Sequence, residues 1–174
     1  LNFSNCITGY QPHKYIVEAN LNSSAASYND LPLFRMAEIY LNYAEAKAEL
    51  GEITQGDLDI SVNKIRARAK MPDLNLGAAN DSPDPYLSSA ETGYANVTGA
   101  NKGVILEIRR ERTIELVLES QNRWWDLMRW KEGACIGQKM EGIYIPADKI
   151  GKAYDVNGDG NADICVYSGA QPSV

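Results

Sequence analysis

Residues 30–51, DLPLFRMAEIYLNYAEAKAELG, decide the fold. Leu33, Met36, Ala37, Tyr40, Leu41, Ala44 and Ala48 recur at the i, i+3, i+4, i+7 spacing of one buried helical stripe. Asp30 predicts the cap, and Pro32 falls in the first turn, where a missing N–H is tolerated. Gly51 is expected to end the helix as its C-terminal glycine. After the turn GEITQG, Asp57 should cap a second helix with Leu58, Val62, Ile65 and Ala69 on its inner face, stopped by Pro72. Two amphipathic helices joined by so short a turn predict an antiparallel hairpin over about 31–71.

The pattern changes on both sides of this hairpin. Residues 1–30 are polar and rich in Asn and Ser, and read as a loop with at most a short strand at Tyr15-Ile16-Val17. Residues 72–103 are rich in Gly, Pro, Asn and Ser, hold no period, and predict a long polar loop, which is usually functional or mobile. Helix resumes at about 104 with Ile105, Ile108, Val117 and Leu118 among its apolar positions, and the aromatic turn RWWDLMRW closes a segment ending near 132. The tail, 133–174, mixes short apolar runs (Ile143 to Ile145, Ile164 to Val166) with Gly and Asp and predicts at most a small β hairpin. The expected fold is mainly α, built of helical hairpins with long loops, and 1–174 is expected to form one domain.

Composition bounds the function. The chain has 174 residues, 44% hydrophobic and 23% charged, the balance of a folded domain able to bury a core without staples. Seventeen Lys and Arg against 23 Asp and Glu leave a net charge of −6, which argues against nucleic acid, because phosphate neutralisation needs a basic face. No apolar run is long enough to span a membrane. The sequence begins at Leu1 without an initiator Met or a signal-peptide pattern and reads as a piece of something longer. The single histidine, His13, rules out a two-histidine metal face and leaves a nucleophile triad no other base, so it reads as a solvated loop residue. Cys6, Cys135 and Cys165 are too scattered for a zinc cluster or a disulfide framework.

The 104–132 segment carries the densest charge. Glu107, Glu111, Glu115 and Glu119 lie four apart, with Arg109, Arg110 and Arg112 between them and Arg123 and Arg129 beyond. A carboxylate pair can hydrolyse glycosides, but Glu111 and Glu115 surrounded by arginine stay ionised, the wrong condition for a general acid. Arg109, Arg110, Glu111, Arg112, Glu115, Arg123, Asp126 and Arg129 therefore read as a structural ion-pair network. Three Trp within seven residues need apolar cover, so at least one of Trp124 and Trp125 is expected in the core.

Four segments in order carry a family resemblance: FRMAEIYLNYAEA (34–46), NKIRARA (63–69), IRRERTIEL (108–116) and RWWDLMRW (123–130). Together they resemble the C-terminal part of the SusD/RagB family, over about Thr8 to Cys165. The family's usual Glu-Gly before the last segment is replaced by Glu119-Ser120-Gln121-Asn122. The resemblance implies a tetratricopeptide-like α–α superhelix and a lipid anchor, missing from this chain, on the surface of the outer membrane. It implies capture of an oligosaccharide or polysaccharide, or of peptides in the RagB branch, and delivery to a SusC-like TonB-dependent transporter without chemistry. It also implies that this chain is about the last third of the whole. A helical protein-interaction scaffold is the alternative compatible with the same periodicities. No nucleophile–base or acid–base constellation supports an enzyme, and no cofactor is required.

Two segments are candidate sites. In the 72–103 loop, Tyr86 and Tyr94 beside Asn80, Asp84 and Asn96 offer the aromatic plane and hydrogen-bonders that a sugar needs, with Trp124 and Trp125 as the competing site. Near the C-terminus, Asp155, Asn157, Asp159, Asn161 and Asp163, with Gly160 at position 6, match the first half of a calcium loop. Position 12, normally a bidentate Glu, is Val166, so the choice is between a weak structural Ca²⁺ site and an Asx-rich turn that keeps its shape without metal.

Overall fold

The computed structural model describes residues 14–15, 17–18, 28–30, 32–119, 122–137 and 144–169. His13, Cys6, Ile16 of the expected first strand and Ile143 lie outside the described residues. The chain divides into two compact units, one of residues 13–139 and one of residues 1–12 with 140–174.

The larger unit is helical: α1 (Met36–Glu49), α2 (Gln55–Asp59), α3 (Val62–Arg68), α4 (Leu76–Asp81), α5 (Pro85–Ser88), α6 (Lys102–Glu115) and α7 (Asn122–Trp130). A 3₁₀ turn at Gly133–Gly137 follows α7. The central helix is α6, which packs against α1 and α4. Leu41, Ala44 and Ala48 of α1, Leu58 of α2, Val62 of α3, Val104, Leu106 and Ile108 of α6, and Leu127 of α7 are buried between them. Each buried Leu, Ile or Val among them contributes about 1.5–3 kcal/mol when removed from water. The smaller unit carries a two-stranded antiparallel ladder, β1 (Ala153–Tyr154) with β2 (Ile164–Cys165), Ala153 opposite Cys165.

The first helix starts later than the sequence suggests. Arg35 is extended (φ −146°, ψ 154°), and α1 begins at Met36, not at Asp30 to Pro32. At this extended position the Arg35 guanidinium pairs with Glu115 and Glu119. Leu33, before the helix, and Met36, its first residue, are exposed rather than part of the buried stripe. The other end behaves as expected. Gly51 adopts φ 77°, its N–H meets the Ala48 carbonyl, and the Glu52 N–H reaches back to Lys47.

The second arm of the hairpin is broken in two. Thr54, not Asp57, is the cap of α2: its side chain accepts from the Asp57 N–H, and the Asp57 carboxylate accepts from the Thr54 N–H in return. Ser61 interrupts the helix, with its hydroxyl donating to the Asp57 carbonyl. Asn63 and Gln55 instead hold the following chain, exchanging hydrogen bonds with Leu74 and Leu76.

Hydrogen bonds from Tyr43 and from the Thr54 side chain and N–H pull the Asp57 carboxyl down to about pKa 2. A depressed pKa stabilises the fold above the ordinary value of 3.8, and that contribution is lost as pH falls through the folded value. Asp57→Asn removes a contribution that the native protein keeps at pH 5 and loses toward pH 2. Urea midpoints at pH 5 and 2.5 are expected to show the gap between native and variant narrowing at the lower pH, and a constant gap would show that Asp57 does not titrate with folding.

The expected structureless loop at 72–103 holds α4 and α5. Asn75 caps α4 by accepting from the Ala78 N–H, and Asp84 caps α5 with Pro85 in its first turn. Both are one- to two-turn helices, too short to leave a 3.6-residue period in the sequence. RWWDLMRW is likewise a helix, α7, rather than a turn. The preceding helix stops at Glu115, and Leu118 (φ 60°) lies in the turn between α6 and α7 with Val117, both exposed.

Candidate functional site

A cavity of about 470 Å³ lies within the larger unit, where the segment around α5 faces α6 and the start of α7. Its walls come from Asp84, Tyr86, Leu87, Thr92 and Tyr94 on one side and Arg110, Thr113, Ile114 and Arg123 on the other. Asp84 organises the first wall. One carboxylate oxygen accepts from the Tyr86 N–H (2.8 Å) and the Leu87 N–H (3.2 Å), and the other accepts from Arg110. Burial pushes the Asp84 pKa up, and the Leu87 N–H and Arg110 outweigh it, so the group is held below the ordinary carboxylate range.

The chain then doubles back. The Thr92 hydroxyl donates to the Tyr86 carbonyl (2.7 Å) and the Tyr94 N–H to the Leu87 carbonyl (2.7 Å). The return passes so close that a Cβ on Gly93 would stand 2.1 Å from the Leu87 carbonyl oxygen, so only glycine fits.

Tyr86 is 59% exposed at the mouth, whereas Tyr94 is 3% exposed and forms the base. The Tyr94 ring meets Trp130 edge-on (centroids 5.4 Å apart, 72° between planes). Its hydroxyl joins a chain of donors: Arg123 Nη1 donates to Tyr94 Oη (2.8 Å) and Thr113 Oγ1 (3.0 Å), and the Thr113 hydroxyl donates to the Arg109 carbonyl (2.8 Å).

Of the residues singled out as sugar contacts, the structure brings Tyr86, Tyr94 and Asp84 to this cavity. Asn80 is elsewhere and accepts from the Val104 N–H (2.9 Å), capping α6 from outside. Asn96 is also structural: its N–H donates to Glu132 (2.9 Å) and its amide to the Lys131 carbonyl (2.8 Å). Trp124 and Trp125 lie on α7, 51% and 61% exposed, so the expectation that one of them enters the core is corrected. The apolar cover goes to Trp130 instead, because positions 126, 127 and 130 share the inner face of α7 and 124, 125 and 128 share the outer one. Six lining residues were not recognised as sugar contacts: Leu87, Thr92, Arg110, Thr113, Ile114 and Arg123. The two arginines were visible only as members of the charge network.

That network links helices rather than decorating one. Arg112, buried, donates Nε to Asp126 (2.6 Å) on α7 and Nη1 to Asn42 (2.6 Å) on α1. Arg129 grips Glu45 with both terminal nitrogens (2.5 and 2.6 Å) and also holds Asp126 (2.9 Å). The Trp130 indole donates to the same Glu45 (2.5 Å). Burial raises the Glu45 pKa, but the hydrogen bonds from Arg129 and Trp130 outweigh it and hold the carboxyl below its ordinary value. Arg109 is stacked over Trp130 (4.5 Å) and Tyr94 (5.6 Å) and pairs with Glu49 (3.2 Å) and Glu132 (3.5 Å). Glu111 pairs with Arg66 of α3, and Glu115 with Arg35 and Arg68. Among the described residues, the one ion pair internal to α6 is Arg110–Glu107 (3.1 Å). Arg123, expected in the network, pairs with no carboxylate among the described residues.

In the smaller unit, Asp155 accepts from the Gly158 (2.6 Å) and Gly160 (2.7 Å) N–H groups, and Asp159 from the Asn161 N–H (2.8 Å). Asp163 accepts from the Val156 N–H (2.9 Å), and the Asn157 amide donates to Asp159 (3.2 Å) and Asp163 (3.3 Å). The N–H groups of Gly160 and Gly158 pull the Asp155 carboxyl below its ordinary value, and the Asn161 N–H does the same for Asp159. Val166, at the position of the missing glutamate, spends its backbone on Gly151 and Lys152. Among the described residues, no three His, Cys, Asp or Glu groups come together in a way that could hold a metal. Cys135 is buried and Cys165 exposed, both as free thiols.

Among the described residues, no helix is long and apolar enough to cross a membrane. Comparison with curated proteins and with solved structures gave no match. A protein-family model described as the SusD family matches residues 2–167 of the 174. Because that match takes in every helix, the interhelical ion pairs and the cavity alike, the chain belongs to the SusD family, a family of nutrient- and glycan-binding proteins.

Proposed function

We propose that the protein captures oligosaccharide at the cell surface without catalysis and passes it to a SusC-like TonB-dependent transporter in the outer membrane, where a lipid anchor holds it. The family match over residues 2–167 carries this reading. The cavity supports it locally, since an exposed aromatic ring, threonine and tyrosine hydroxyls and charged hydrogen-bonders beside the apolar Leu87 and Ile114 suit the alternating faces of a sugar. A glycan array followed by calorimetry tests it. Tyr86→Ala is expected to weaken the best array ligand about tenfold, the scale of one aromatic contact. Unchanged affinity would place the sugar site away from this cavity.

A protein-docking role draws on a different observation: Leu33, Phe34, Met36 and Ile39 are all exposed at the start of α1. A co-purifying partner lost on Phe34→Asp, with glycan affinity intact, would favour that role.

For the loop at 155–163 the proposal is an Asx-rich turn closed without metal. Its support is that Asp155, Asp159 and Asp163 already accept backbone N–H groups and that position 12 offers no carboxylate. The weakest extracellular calcium modules bind at roughly 10⁻⁴–10⁻³ M, so a titration that reaches millimolar detects even such a site. Titrating chelator-treated protein with CaCl₂ to millimolar concentration is expected to give neither binding heat nor a rise in melting temperature. Either signal would restore calcium as a structural ion.

A further inference from the structure

We infer that the cavity beside α5 selects saccharides bearing a carboxylate, with Arg123 as the residue that receives it. This rests on the glycan-capture reading and names the class of glycan.

The argument starts from an imbalance of charge. Each of the other four arginines on α6 and α7 has a carboxylate: Arg109 has Glu49, Arg110 has Asp84, Arg112 has Asp126 and Arg129 has Glu45. Arg123 has none among the described residues. Its Nη1 spends both hydrogens on the neutral oxygens of Tyr94 and Thr113, and its Nη2 has only the Cys135 sulfur at 3.8 Å. The full positive charge remains, with an Nε–H and an Nη2 N–H that meet no oxygen acceptor among the described residues. In a chain of net charge −6, that charge lies on the wall of a cavity lined by two arginines and one carboxylate. A planar guanidinium in this condition is suited to a carboxylate, which it can hold through charge-assisted hydrogen bonds.

The remaining walls favour a sugar acid over a bare anion. Tyr86 supplies an exposed ring, Leu87 and Ile114 supply apolar surface, and about 470 Å³ accommodates one or two pyranose rings. The charge of Asp84 and that of Arg110 compensate each other, which leaves Arg123, among the described residues, as the unpaired charge on the wall and the landing point for an anion. The arrangement fits a uronate: the ring against Tyr86, the C6 carboxylate on Arg123.

The test is calorimetric titration of the protein with tri-galacturonate, its methyl ester and tri-aspartate. The acid is expected to bind at least tenfold more tightly than the ester, the usual strength of a charge-assisted contact, and tri-aspartate not to bind. Equal affinity for acid and ester overturns the inference and leaves glycan capture standing. Binding of neither, with no other glycan retained on an array, overturns both. Tri-aspartate binding as tightly as tri-galacturonate overturns the sugar class. In Arg123→Met the preference for acid over ester is expected to vanish, and a preference retained by folded variant moves the carboxylate to another residue. The acid-to-ester ratio of the unaltered protein decides the matter even where that variant does not fold.

Discussion

Arg112→Ala is expected to cost about 3–5 kcal/mol, the usual penalty for removing one partner from a buried ion pair. Arg112 is buried on α6 and donates to Asp126 on α7 and Asn42 on α1, so its loss detaches three helices at one point. Asp126 keeps Arg129 but stays buried with half its compensation gone. Urea midpoints measure the effect, and a native midpoint in the variant would reduce the network to surface charge. Arg112→Met with Asp126→Leu distinguishes two causes. If an uncompensated charge is the damage, the apolar pair recovers most of the loss, because a well-packed hydrophobic replacement of a buried pair is often neutral. If hydrogen-bonded positioning of α7 is the damage, the double variant stays near the single one.

Gly103→Ala is expected to destabilise by roughly 2–4 kcal/mol, although alanine is the better helix former by about 1 kcal/mol. A Cβ at this position would stand 1.8 Å from the Ala79 carbonyl oxygen and 2.8 Å from the Asn80 Cα. Both obstacles are backbone, so no rotamer change relieves them and α4 must move. Moving α4 also withdraws the Asn80 oxygen from the Val104 N–H, a cap worth about 1 kcal/mol. Combining Gly103→Ala with Asn80→Ala should therefore cost less than the sum of the two. A raised midpoint for Gly103→Ala alone would show that α4 does not approach α6 so closely.

The helical architecture was legible because long helices print their period. Leu41, Ala44 and Ala48 are buried as their spacing required, and Gly51 closes α1 at a positive φ. Legibility failed where an element is short or its partner distant. Four- and six-residue helices such as α5 and α4 complete too few turns to show a stripe. The break at Ser61 was hidden because Leu58, Val62 and Ile65 keep helical spacing across it, all three buried. The capping box at Thr54 was readable as a Thr with an Asp three residues on, yet Asp57 alone drew notice. The regular glutamates of α6 suggested a ladder within one helix, but spacing cannot say which other helix supplies the arginine. The surface indoles teach the converse: apolar character argued for burial of Trp124 or Trp125, while helical phase, had it been applied to α7, places them opposite Leu127 and Trp130. At the cavity, the capping Asp84 and the aromatic Tyr86 could be found locally. Arg123 could not, since its significance is that its neighbours among the described residues, 10 to 29 positions away, include no carboxylate.

The grip of Arg129 on Glu45 joins positions 84 apart in the chain. A ribosome delivers α1 first and α7 much later. Until α7 emerges, Glu45 lacks the Arg129 guanidinium and the Trp130 indole, although α6 is already present to cover the stripe of Leu41, Ala44 and Ala48 and to bring Arg112 to Asn42. A nascent chain halted before Asn122 therefore leaves Glu45 and Arg112 without their α7 partners and lacks the apolar cover of Leu127 and Trp130. The last α-helix to be translated closes this network, so chains stalled before it are expected to be cleaved by proteases more readily than the complete unit.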